Sequence, residues 1–320
     1  MKIQNISLIF TFSVFILLVL TRDHSNLPDY DAYNVMFDYV SDLSSYNSYY
    51  GILLIFDLVS SFVSGYDNVR IFSIIIFSSL FFLAMYKANN SYFRGTINSK
   101  RLWFLLPLIS FSLFIFLVEF YLIRLRAGFS ISFFMMFVVS SKKYWSYMLL
   151  LASLILHLDT AIILSFMFLP IFTTRKLYDK VYINGLYLLL LVIVLAIFDK
   201  VIDVFRPDFL SELNMVRVIF GFFIPSLLYV IYSYTNKRLT EIRNDKSAIA
   251  VHLLNVSICI AVALNFTSST GEVIVRIATL SSIVSIFLIS KRESKKSFYF
   301  SIYILLVNSL FFLNTVKSVI

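Results

Sequence analysis

Uninterrupted apolar runs of fifteen residues and more recur along the whole chain, and a run of that kind has few ways to fold. In lipid its backbone amides and carbonyls can be satisfied only inside a helix or a closed barrel. Barrel strands alternate apolar and polar residues, and these runs do not. The fold class read from the sequence is therefore all-α, a polytopic integral membrane protein. Composition excludes the soluble alternative: 60% of the 320 residues are apolar and 14% charged, against about 45–50% and about 25% in soluble domains.

A crossing takes about 20 apolar residues. Runs at 3–20, 69–86, 102–118, 127–141, 144–172, 181–198, 215–234, 248–266, 273–290 and 298–316 meet that measure closely enough to be assigned. The run 144–172 has 29 residues, about 43 Å as a helix, which is too long for one crossing. It is read as two short helices meeting at His157. The segment 50–64, with Asp57 inside it, is short for a span and is read as a re-entrant or interfacial helix.

These assignments give about 11 transmembrane helices, with 10–12 as the range, and a cytoplasmic N-terminus. Eighteen of the 27 basic residues then face the cytoplasm, while 14 of the 18 acidic residues lie outside or near the outer helix ends. That asymmetry is what the positive-inside rule requires. It accounts for the net charge of +9 without nucleic acid as a partner. Cys259 is alone and allows no internal disulfide. Loops this short leave no room for a separate soluble domain, so residues 1–320 are expected to form a single membrane-embedded domain, with 21–68 as an outer loop bearing interfacial helices.

Chemistry has to come from helix ends and outer loops. Residues 30–44 read as an amphipathic helix on the outer surface, with Ala32, Met36, Tyr39 and Leu43 on one stripe and Asp31, Asn34, Asp38 and Asp42 on another. The Asp29-Tyr30-Asp31 element is similar to the paired acids of metal-dependent sugar transferases. A lone pair of acids would need a third ligand to hold a metal, and a helix cap with a solvated face is the simpler reading.

A continuous helix over the 40 residues 102–141 would run about 60 Å, so the chain must turn between Glu119 and Arg126. The turn sets an acid and two arginines, Arg124 and Arg126, at the outer end of two crossings. Two residues apart, they face one site only where the backbone is unwound. Arg217 and Arg276 occupy similar depths on later helices. Boundary arginines are costly and mark function unless they merely snorkel to the interface, and a guanidinium fork suits phosphate oxygens. His157 is either a general base or proton relay or a polar residue at a helix break. Serine-hydrolase, P-loop and zinc-site spacings do not occur.

Taken together, these elements resemble the bacterial O-antigen and polysaccharide polymerases of the Wzy type, most closely the EpsG-like branch. The likeness rests on an outer loop carrying Asp29, Tyr30 and Tyr33, on Ile123-Arg124 leading into Ala127, on His157 followed by Ala161-Ile162, and on Arg276 within Val275-Arg276-Ile277-Ala278. Leu125 stands where the family commonly has glutamine, and Arg126 is an additional arginine.

The resemblance implies a GT-C-like glycosyltransferase of the inner membrane, facing the periplasm or outside. It joins oligosaccharide repeat units carried on undecaprenyl pyrophosphate, and a chain-length regulator protein is a further partner beside the membrane lipids. Arg124, Arg126, Arg217 and Arg276 would hold the pyrophosphate, and His157, Asp29 or Asp31 would take the proton. Tyr30 and Tyr33 would contact sugar. No metal or other cofactor is expected, because fixed cations can carry the leaving charge. The alternatives are a flippase or transporter of the same lipid-linked oligosaccharide and an O-antigen ligase-like transferase. Only seven glycines and five prolines, with no evident repeat, weigh against a transporter.

Overall fold

A computed structural model of the chain describes residues 3–27, 30–38, 50–92, 99–140, 143–157, 160, 161, 164 and 306. All of these except 164 and 306 belong to one compact unit formed by Met1–Ile162 and Phe312–Ile320. Among the described residues every regular element is helical: α1 (Ile3–Thr21), α2 (Tyr30–Asp38), α3 (Tyr50–Ser60), α4 (Tyr66–Tyr92), α5 (Ser99–Val118), a π-turn (Glu119–Ile123), α6 (Leu125–Val139) and α7 (Lys143–Leu156). The crossings expected beyond residue 164, with Arg217 and Arg276, lie outside the described residues.

Side-chain pairs fix how the helices run. Phe12 of α1 stacks on Phe82 of α4 at 4.8 Å, and His24, just past the end of α1, interacts electrostatically with Arg70 near the start of α4, so this pair is antiparallel. Ser7 bonds Ser110 and Phe15 meets Tyr121 at 6.3 Å, which sets α5 parallel to α1. Phe77 stacks on Phe129 at 4.1 Å, and α6 runs alongside α4 in the same direction. Ser130 Oγ donates to the Ser153 carbonyl at 2.8 Å, and Ser153 Oγ returns a bond to the Ser130 carbonyl at 2.9 Å, joining α6 to an antiparallel α7.

The interior is apolar, with small polar residues among its buried groups, and many large apolar residues also stand on the outside. On α1 the buried face includes Asn5, Ser7 and Thr11, while Ile6, Phe10, Val14 and Leu17 point outward. On α7 the outward residues are Tyr144, Trp145, Tyr147, Met148, Leu151 and Ile155, and Ser153 is buried. Buried small polar residues and an apolar exterior are features of helix packing in lipid, where interhelical hydrogen bonds and close approach hold helices together. Gly51 gives such an approach: a Cβ there would come within 3.0 Å of the Ile155 carbonyl of α7.

By length and composition, one described helix, Tyr66–Lys87, can cross a membrane; Asn5–Thr21, Gly51–Ser60, Pro107–Ile123, Leu125–Val139 and Tyr144–Leu156 are shorter apolar helices. The 11 residues of α3 span about 16 Å, so α3 is too short to cross. The long run beginning at Tyr144 breaks where expected, with α7 ending at Leu156 and helical geometry resuming at Thr160.

The stripe expected on α2 is corrected. Ala32 is exposed, and the inward residues are Tyr33, buried, and Phe37, half-buried. The two rings lie four residues apart and meet Phe56 of α3 at 6.3 and 6.4 Å. Aromatic contact outweighs the small area Ala32 has to offer.

Candidate functional site

The ends of α1, α5 and α7 and the beginnings of α4 and α6 converge on one end of the bundle, with α2 and α3 against them. The π-turn defines this end. The Arg124 N–H donates to the Glu119 carbonyl at 2.9 Å, a bond five residues long where an α-helix makes one of four. Arg124 then leaves helical geometry (φ −115°, ψ 62°) and caps α6, its carbonyl accepting from Gly128 N–H at 3.0 Å. The chain folds back so tightly that a Cβ on Gly128 would stand 2.1 Å from the Phe120 carbonyl oxygen. Only glycine fits there.

The turn brings a buried acid to a partly open cation. Arg124 Nε lies 2.8 Å from Glu119 Oε1, with the arginine side chain 29% exposed and the glutamate 1%. The contact is an ion pair off the hydrogen-bonding direction, since neither carboxylate oxygen accepts a hydrogen bond among the described residues. Arg126, half-buried, follows in the first turn of α6. That first turn carries no acid. A helix N-terminus has positive partial charge and ordinarily attracts acids; here it carries Arg126 and the Arg124–Glu119 pair, at a position where an anion is favoured.

Arg70, one turn into α4, is a residue the sequence reading passed over. It is fully buried. Its Nη1 donates to the Tyr66 hydroxyl at 3.0 Å and its Nη2 to the Leu122 carbonyl, inside the π-turn, at 3.1 Å. The guanidinium also sits 5.5 Å from the Tyr30 ring centre. A signal existed: Arg70 stands just inside an apolar run, the feature that singled out Arg217.

Tyr30 donates to Asp67 Oδ1 at 2.5 Å, which pushes its phenol up to about 12. Tyr66 donates to the Tyr30 carbonyl at 3.4 Å, and the Tyr66 ring lies 6.0 Å from that of Phe56. Tyr33 is buried against Phe56, so its ring is engaged in packing. Asp31 is exposed on α2. Asp29 lies outside the described residues.

His157 divides two helices. Its N–H closes α7 on the Ser153 carbonyl at 3.1 Å, and its carbonyl accepts from Ala161 N–H at 3.1 Å. Its Nδ1 accepts from the Thr160 backbone N–H at 3.3 Å, the geometry of an N-cap. A backbone N–H can only donate, so Nδ1 is the unprotonated nitrogen and Nε2 carries the hydrogen. A base role at Nε2 would require these capping bonds to be given up. Buried His24 donates from Nε2 to the Val19 carbonyl at 2.8 Å. Its pKa is lowered by burial and, further, by Arg70.

Arg124, Arg126, Tyr30, Asp31 and His157 thus lie on elements at the same end of the bundle, where contacts join Glu119 to Arg124 and Arg70 to Tyr30, Tyr66 and Leu122. Among the described residues no three His, Cys, Asp or Glu residues group as metal ligands.

The described residues form a helical bundle with a cationic turn at one end, one of whose helices, Tyr66–Lys87, is long and apolar enough to cross a membrane. The chain belongs to the EpsG family, whose model matches residues 7–319, a family of polysaccharide polymerase-like membrane proteins. No curated protein and no solved structure matches it.

Proposed function

We propose that the protein is a polysaccharide polymerase that joins oligosaccharide repeat units carried on undecaprenyl pyrophosphate, at the outer face of the cytoplasmic membrane. Family membership supports the polymerase class. The observation that carries the ligand is Arg124 at the N-cap of α6, partly open although paired with buried Glu119, with Arg126 two residues on in a first turn that carries no acid. Phosphate oxygens are the natural counterpart of guanidinium forks at a helix N-terminus.

In the reaction, the C1–O bond between the growing chain and its lipid diphosphate breaks while a new C1–O bond forms to a hydroxyl of the incoming unit. The hydroxyl proton passes to a base, for which His157, Asp29 and Asp31 are the candidates. The diphosphate departs with the electron pair, and Arg124 and Arg126, joined by Arg217 and Arg276, stabilise its charge. The basic residues assigned to the opposite helix ends support an outward-facing site by the positive-inside rule.

The test is the polysaccharide profile of cells carrying Arg124→Ala or Arg276→Ala. The expected outcome is membrane-inserted protein with surface glycan reduced to single repeat units. Loss of all transferred units would favour transport, and unchanged chain length would remove that arginine from the site. Arg124→Lys should also fail, because an ammonium cannot form the fork.

A further inference from the structure

The two residues that hold Arg124 in place are themselves outside the reaction as described. In a regular helix, residues five apart point about 140° away from each other, so Glu119 and Arg124 would not meet. They meet because the π-turn bond from Arg124 N–H to the Glu119 carbonyl, 2.9 Å, brings the fifth residue round above the first. The turn is held from outside by Arg70, whose Nη2 takes the Leu122 carbonyl at 3.1 Å while Nη1 is anchored on Tyr66 of its own helix.

We propose that Glu119 is a positioning residue for Arg124, and that Arg70 supports it by fixing the π-turn. Glu119, 1% exposed, engages Arg124 at Nε, 2.8 Å away, and the arginine remains 29% exposed. Engagement at Nε leaves the two Nη groups as a fork with one orientation. A guanidinium held this way loses less rotamer freedom when it closes on two oxygens than one swinging from a flexible stem. A buried carboxylate beside a binding cation would otherwise be a liability, since it competes with the anion. Its value lies in orientation.

The inference rests on the reading of Arg124 as a diphosphate ligand. Its test is a double-mutant cycle on the full chain in lipid nanodiscs, with undecaprenyl diphosphate as the binding probe. Glu119→Ala should weaken binding about tenfold, the effect of losing one charge-assisted contact's worth of preorganisation. In an Arg124→Ala background the same change should do nothing further. Glu119→Gln retains the volume but not the charge that makes the contact, so it should weaken binding as Glu119→Ala does, which also covers the case in which the alanine variant does not fold. Arg70→Lys cannot reach Tyr66 and Leu122 together and should weaken binding to a similar degree.

Equal affinity of wild type and Arg124→Ala would sink the diphosphate reading itself. Weakening by Arg124→Ala but none by Glu119→Ala would leave that reading standing and overturn this one. Weakening by Glu119→Ala that persists without Arg124 would overturn it as well. An unchanged Arg70→Lys protein would remove Arg70 from the arrangement.

Discussion

Gly128 packs its α-carbon against the carbonyl of Phe120, so closely that any Cβ would lie 2.1 Å from that oxygen. The oxygen belongs to the backbone and has nowhere to retreat. Gly128→Ala should therefore open the turn between α5 and α6, at a cost of about 3 kcal/mol or more, the upper range for overpacking. Thermal stability of the detergent-solubilised protein, followed by size-exclusion profile, measures it. A melting temperature equal to wild type would contradict the contact.

His157 separates capping from proton chemistry. Asparagine is a good N-cap and accepts from the same backbone amide, so His157→Asn should fold as wild type does. His157→Ala should lose about 1 kcal/mol. If the asparagine variant folds and still builds full-length polysaccharide, the imidazole takes no proton in the reaction. If it folds but makes single units, a proton role stands.

His24 predicts a response to acid. Burial lowers its pKa, aided by the Arg70 guanidinium, against the pull of the Val19 carbonyl. Because the folded-state value lies below the unfolded value of about 6.5, the unfolded chain binds the proton more readily. The stability contribution is complete above about pH 6.5 and is lost as the pH falls through the folded-state pKa. Protonation would also bury a second donor at Nδ1, which has no partner among the described residues. Melting temperature should decline on acidification below about pH 6.5 in the wild type and less in His24→Gln, whose amide can still donate to Val19.

Tyr30→Phe tests what holds α2. It removes the 2.5 Å bond to Asp67 and keeps the edge-on contact with Tyr66 at 5.1 Å. The bond is exposed, so its loss should cost no more than about 1 kcal/mol. Tyr33→Ala, which empties a buried ring site, should cost about 3 kcal/mol or more. Hydrogen exchange over 30–38 should report the second change far more strongly than the first.

The reciprocal Ser130 and Ser153 bonds join α6 to α7. Interhelical hydrogen bonds in membrane proteins average about 0.6 kcal/mol, so Ser130→Ala and Ser153→Ala should each be mild. Combined, they should be less than additive, because each removes the other's partner. A strictly additive pair would mean that the two hydroxyls act apart.

Length arithmetic made the breaks legible. Neither 102–141 nor the run starting at Tyr144 fits a bilayer as one helix, and the structure turns at Glu119–Arg124 and at His157. The residues that make the turn work were not legible in the same way. Arg70 meets a carbonyl 52 residues further on, and no local pattern announces that contact. Glu119 and Arg124 are five apart, a spacing that α-helical periodicity assigns to different faces, so their pairing exists only once the π-turn is known. On α2, a stripe chosen by apolarity fell on Ala32, whereas ring size brought Tyr33 and Phe37 inward.

The Arg70 contact also bears on how the protein is made. Translation delivers Leu122 long after Arg70, so the newly made α4 carries a charged tip with no carbonyl to meet. The Arg70 contact is therefore completed only after α5 and the turn have been made, and a nascent chain that stops short of the turn leaves the α4 arginine without its Leu122 carbonyl.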